Sequence, residues 1–183
     1  MGERLLEVTV LFADARGFTH FAEGRAPEEV AGALNRMFEG CTQTLLEHDA
    51  IVDKLMGDAV MAVFGAPIVR ADHVRQAVAA AVTIQRQAAE MFPADWEGAC
   101  LRMGINSGVA FVGRIGSGDI KDYTAVGDTV NVAQRLQVEA QPGEILVSQS
   151  VYELVRDEYP GAEERVLTVK GRDEPVVSFA LKP

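Results

Sequence analysis

Two short, mostly apolar stretches constrain this chain most. They are Val8-Thr9-Val10-Leu11-Phe12-Ala13 and Ala59-Val60-Met61-Ala62-Val63-Phe64. Runs of this length and composition read as buried strands. An aspartate bounds each one: Asp14 ends the first, and Asp58 precedes the second. A carboxylate beside a buried strand is costly unless it is paired or holds a cation. Two such sites in one chain suggest a shared cation. Hard oxygen ligands favour Mg²⁺ or Mn²⁺, the ions of phosphate chemistry.

The rest of the pattern places helices on a sheet. Residues 7–13 read as a strand and Gly17-Phe18-Thr19 as a turn. Pro27, followed by Glu28 and Glu29, opens a helix to about residue 48. Its inward positions are Val30, Leu34, Met37, Phe38, Cys41 and Leu45. Residues 50–55 and 59–64 form a hairpin through Met56-Gly57-Asp58. Asp72 is expected to cap a helix to about residue 91. Strands follow at 101–106 and 108–115, then a polar loop at 116–122 and a short extended segment, Tyr123–Val126. Asp128 is expected to cap a helix carrying Val130, Ala133, Leu136 and Gln137. A strand at Ile145–Val147, a short helix at Val151–Val155 and strands near 163–169 and 175–181 complete the order. Mixed elements in this order predict an α+β fold with helices packed on a sheet.

With 183 residues, of which 48% are hydrophobic, the chain fits one domain, residues 1–183. Its net charge of −10 argues against nucleic acid or an anionic membrane as a partner. An anionic nucleotide still fits, because a metal and a few local cations invert the field. Cys41 and Cys100 read as reduced thiols, as expected of a cytoplasmic protein. There is no signal-peptide pattern and no membrane-length apolar run. A regulatory domain in a longer protein is compatible with these features.

On spacing alone, Asp14 and Asp58 have two readings. They either bridge divalent ions or serve as a turn cap and a hairpin residue. Free N–H groups near Gly17, Phe18 and Thr19 suit phosphate oxygens, although an ordinary turn explains them as well. Asn131 and Arg135 share one helix face, either a solvated face or one that meets a phosphate. Lys54 lies on a half-buried strand, where lysine is uncommon; it snorkels or meets a specific acceptor. His20, His48 and His73 have no metal spacing and read as surface or boundary residues.

Four blocks then add up to a pattern. They are Val10–Thr19 (VLFADARGFT), Lys54–Gly65 (KLMGDAVMAVFG), Leu101–Gly108 (LRMGINSG) and Tyr123–Leu136 (YTAVGDTVNVAQRL), followed by Val169-Lys170-Gly171. In this order the chain resembles the class III nucleotidyl cyclase catalytic domain. The resemblance implies a ferredoxin-like cyclase fold with a mixed, mostly antiparallel sheet. It implies that Asp14, Asp58 and the Ala15 carbonyl hold two Mg²⁺ or Mn²⁺ ions. The Phe18 and Thr19 amides, with Arg102 and Lys170, would hold the triphosphate. Lys54 and Thr124 would read the base, Asn131 the ribose, and Arg135 would stabilise the reacting phosphorus. It also implies a head-to-tail homodimer with shared sites, the metal ligands coming from one subunit and the Asn/Arg pair from the other.

Lysine suits the N1 acceptor of adenine, whereas guanylyl cyclases place Glu there. ATP is therefore the expected substrate, with 3′,5′-cyclic AMP and pyrophosphate as products. Many adenylyl cyclases carry Asp where this chain has Thr124, and Thr resembles a bacterial subgroup. A hydroxyl can accept or donate, so discrimination against GTP is expected to be weaker. Guanylyl or dual-specificity cyclase and a degenerate nucleotide-binding regulator are the alternatives. A degenerate domain usually lacks a metal Asp, the Asn or the Arg, and all four are present.

Overall fold

The computed structural model describes residues 4–117, 120–168 and 175–182. Among them, eight strands form one sheet: β1 (Arg4–Ala15), β2 (Ile51–Met56), β3 (Ala59–Phe64), β4 (Leu101–Ser117), β5 (Ile120–Val126), β6 (Ile145–Ser148), β7 (Glu163–Leu167) and β8 (Val176–Leu181). The helices are α1 (Phe18–Ala22), α2 (Pro27–Glu47), α3 (His73–Met91), α4 (Asp128–Glu139) and α5 (Gln149–Val155). The strand order is β2-β3-β1-β4-β6-β8-β7, with β5 paired to β4. Only β4 and β6 pair in parallel; the other pairs are antiparallel. The fold is the expected α+β sheet with helices.

β1 is apolar along both of its faces because both are covered. Leu11 and Ala13 join a core with Met37, Cys41, Leu45, Val78 and Ile84 from α2 and α3. Val8, Val10 and Phe12 join Met61, Val63, Val112 and Ala133 on the opposite face, which α4 covers. Each fully buried large side chain, such as Leu11 or Ile84, contributes roughly 1.5–3 kcal/mol. Burial also pushes the Cys41 thiol up to about 12. On α3, Val74, Ala77, Val78, Ala81, Ile84, Ala88 and Met91 are all buried.

Several local expectations change. The segments 101–106 and 108–115 are one continuous strand, β4. The 116–122 stretch is not a loop throughout, because Ile115, Gly116 and Ser117 pair with Asp122, Lys121 and Ile120 across a hairpin. Ladder hydrogen bonds outweigh the turn propensity of its glycines. Phe18 begins a short helix rather than ending a turn. Asp72 stands at the cap position of α3 without bonding its backbone; its carboxylate accepts instead from Gln76 Nε2 and Arg70 Nε. Asp128 is the first helical residue of α4, with Gly127 in the cap position.

His73 is buried rather than at the surface or the boundary. Its Nδ1 lies 2.7 Å from Thr9 Oγ1. Burial lowers its pKa, and the charges of Glu7 and Asp72 oppose that shift.

Candidate active site

The end of β1 and the β2–β3 turn meet, as the shared-cation reading of the two aspartates expects. Asp14 is in register with Ala59 on one side and Arg102 on the other. The Ala15 amide donates to the Asp58 carbonyl at 3.1 Å, and the Arg16 amide to the Cys100 carbonyl at 2.8 Å. Arg102 Nη2 donates to Asp14 Oδ1 at 2.8 Å. Burial pushes the Asp58 carboxyl above its ordinary range. The negative charge of Asp14 adds to that shift, while Arg102 pulls the other way. Two carboxylates close enough to repel, next to the backbone oxygens of the β1 end, fit a hard cation. Among the described residues, no group of three or more His, Cys, Asp or Glu could hold a metal. A cation here would therefore need oxygens beyond the two carboxylates, such as backbone carbonyls and water.

Phe18 and Thr19 open α1, whose first amides have no intrahelical acceptor. Gly17 precedes them at φ 77°, in the left-handed region that favours glycine. An added Cβ at Gly17 would stand 3.4 Å from Trp96 Nε1. Trp96 itself was not foreseen. It is buried, donates from Nε1 to the Arg16 carbonyl at 3.1 Å and stacks on Phe21 at 4.3 Å. Its signal was its rarity, since it is the single tryptophan of the chain.

Lys54 meets a specific acceptor. Its Nζ donates to Thr124 Oγ1 at 3.1 Å, across from β2 to β5. Asp53, overlooked in the sequence, joins them. Thr124 Oγ1 donates to Asp53 Oδ2 at 2.6 Å, and the Ala125 amide donates to the same oxygen at 3.3 Å. The Asp53 side chain is only 2% exposed. Lys54 Nζ lies 3.3 Å from Asp53 Oδ1, but no donor is aligned on that oxygen. The β2–β3 register shifts between Val52 and Lys54. This irregularity breaks the alternation that would send neighbouring side chains to opposite faces.

Asn131 and Arg135 share the outer face of α4, while Ala133 and Leu136 are buried. Asn131 is exposed. Arg135 Nε lies 3.3 Å from Glu139 Oε1, one turn along the helix. Three contacts seat this helix. Asn106 Nδ2 donates to the Thr129 carbonyl at 3.0 Å, and Thr129 Oγ1 donates to the Val109 carbonyl at 2.6 Å. The third is Gly104, where α4 crosses β4 so closely that a Cβ would fall 2.2 Å from the Gln137 amide nitrogen. Among the described residues, no hydrogen bond or ion pair joins Asn131 or Arg135 to Asp14 or Asp58. Lys170 lies outside the described residues.

The structure thus holds a strand-end carboxylate pair with Arg102, a Lys54–Thr124 pair and a helix that presents Asn131 and Arg135. The chain belongs to the adenylate and guanylate cyclase catalytic domain family, which it matches over residues 2–182. It is 37% identical over 136 residues to adenylate cyclase 1 of Rhizobium meliloti, covering 72% of this chain and 20% of that protein. The chain therefore spans about a fifth of that relative's length. Its fold is similar to that of the adenylyl cyclase CyaB from P. aeruginosa, with TM-score 0.89 and 29% identity over 100% of this chain and 97% of the other. It is equally similar to the guanylyl cyclase Cya2, with TM-score 0.89 and 32% identity over 99% and 94%. Class III cyclases generally use divalent metal ions and typically act as dimers.

Proposed function

We propose that the chain is a single catalytic module of an adenylyl cyclase, converting ATP to 3′,5′-cyclic AMP and pyrophosphate. The observation that carries this reading is the Lys54–Thr124 pair at 3.1 Å. An ammonium donor beside a hydroxyl suits the N1 acceptor and 6-amino donor of adenine. The similarity to Cya2 favours a guanylyl cyclase as the second reading. Guanine, however, would turn its N1–H toward the Lys54 ammonium.

Asp14, Asp58 and the Ala15 carbonyl would hold two Mg²⁺ or Mn²⁺ ions. The ions would supply the charge that acidifies the ribose 3′-hydroxyl and steadies the departing pyrophosphate. The Phe18 and Thr19 amides, Arg102 and Lys170 would hold the triphosphate. Arg102, which donates to Asp14 here, would exchange that bond for phosphate oxygens once the Asp14 carboxylate serves as a ligand. Asn131 would align the ribose so that its 3′-oxygen forms the new bond to the α-phosphorus in line with the breaking bond to pyrophosphate. Arg135 would meet charge building on that phosphorus, so its loss lowers kcat more than affinity. Its ion pair with Glu139 is partly exposed, with no hydrogen bond aligned on Nε, and a surface pair of this kind is worth about 0–1 kcal/mol, so it is given up at little cost.

The homodimer would join the Asp14/Asp58 half of one copy to the Asn131/Arg135 half of the other. Product analysis with ATP and with GTP, each with Mg²⁺ and Mn²⁺, tests the reading. Cyclic AMP is expected as the main product. Cyclic GMP as the main product, or no cyclic nucleotide from either, overturns it.

A further inference from the structure

The geometry points to Asp53 as a specificity-determining positioning residue that makes Thr124 an acceptor toward the base and so sharpens selection of a 6-aminopurine over a 6-oxopurine. This rests on the proposed role of Lys54 and Thr124 as base readers. A threonine hydroxyl has one proton and two lone pairs. By itself it would accept from the 6-amino group of adenine or donate to the 6-oxo group of guanine. Here its proton has a better destination. Asp53 Oδ2 is 2.6 Å away, whereas the alternative acceptor, the Ala125 carbonyl, is 3.4 Å away. A carboxylate accepts and never donates, and a charge-assisted bond is roughly twice as strong as a neutral one.

One lone pair then receives Lys54 Nζ. The other remains for a donor on the base, and the 6-amino group of adenine is one. A 6-oxo group would meet that lone pair with its own. The Asp53 carboxylate is fixed in turn by the Ala125 amide and by the ammonium of Lys54 at 3.3 Å. A pair that is ambiguous as Lys and Thr becomes a donor and an acceptor once Asp53 stands behind it. All three residues belong to one chain, so the arrangement precedes any dimer.

The test is the ratio of kcat/KM for ATP to that for ITP, whose base carries a 6-oxo group and N1–H. Asp53→Ala removes the acceptor and frees the hydroxyl to donate, so the ratio should fall roughly tenfold or more, the worth of one hydrogen bond at a buried site. Asp53→Asn keeps an oxygen for Thr124 and Ala125, so it should retain most of the ratio. In a Thr124→Val background, Asp53→Ala should change the ratio no further. General damage to the fold lowers both rates and leaves the ratio unmoved. If Asp53→Ala does not fold, Asp53→Leu removes the same acceptor while filling the cleft beside Ile51, Val63 and Val112. A parental ratio in the folded apolar variant overturns the inference, as does an equal fall in the Thr124→Val background. A parent enzyme that prefers GTP sinks the adenylyl reading itself, which is a separate result.

Discussion

Replacing Gly104 with alanine tests whether the seat of α4 governs catalysis. The added Cβ would lie 2.2 Å from the Gln137 nitrogen and 2.4 Å from the Ala133 carbonyl oxygen. Both are helix backbone, so no side chain can swing aside. Restoring ordinary contact near 3.4 Å moves the helix outward by roughly 1 Å. Overpacking of this kind costs about 1–3 kcal/mol. For a chain of this size that lowers Tm by roughly 2–12 °C. The same shift carries Asn131 and Arg135 with the helix. Misplacing a catalytic group by 1 Å costs on the order of 10²-fold, so kcat should fall that far. The residues read as triphosphate and metal ligands lie on other elements, so KM should change less. Gly32→Ala is the control. It lies in α2 with nothing within 4 Å of its Cβ, and alanine there should stabilise by about 0.5–1 kcal/mol. Steady-state kinetics and thermal unfolding read both variants. A Gly104→Ala enzyme with parental kcat and Tm would refute the argument.

Other outcomes follow from the same geometry. Asp14→Ala and Arg135→Ala should each be inactive, and an equal mixture should recover about a quarter of parental activity if subunits pair at random in a two-fold dimer; no recovery with dimers confirmed removes the shared site. Asp58 has a folded-state pKa raised above the ordinary carboxylate value, so its contribution to stability is present below that ordinary value and is lost as pH rises through the raised one. Added Mg²⁺ or Mn²⁺ should therefore raise Tm near pH 7 and much less near pH 4, and equal gains at both would contradict the carboxylate site. Cys41, with its thiol pushed up to about 12, should resist iodoacetamide at neutral pH in the folded protein while Cys100 reacts; mass spectrometry of the labelled peptides decides it.

The parts of this site that sequence made legible are those in which local pattern and position coincide. The runs ending at Asp14 and beginning after Asp58 read as buried strands, which puts each carboxylate at a strand end; that the two strands are neighbours is given by the β1–β3 pairing. The 3.6-residue period around Val130, Ala133 and Leu136 left Asn131 and Arg135 together on the other face. What escaped depends on geometry that a period does not encode. Strict alternation would have put Asp53 and Lys54 on opposite faces, and only the shifted register brings both to Thr124. The bond from Trp96 to the Arg16 carbonyl spans 80 positions and leaves no periodic trace. Gly104 read as an ordinary strand residue, because nothing nearby in sequence says that a helix more than twenty residues later will cross it.

These three residues share one logic. None is a candidate to touch the nucleotide, yet each fixes the direction of a group that is. Asp53 accepts from the Thr124 hydroxyl, Trp96 holds the carbonyl before the turn proposed to bind phosphate, and Gly104 sets the height of the Asn131/Arg135 helix. If catalysis needs its groups held within a fraction of an ångström, the chemistry-bearing side chains alone do not make the enzyme. A variant that kept all of them but lost the buried carboxylate of Asp53 would still look complete by its motifs, and its Thr124 would be free to take either base.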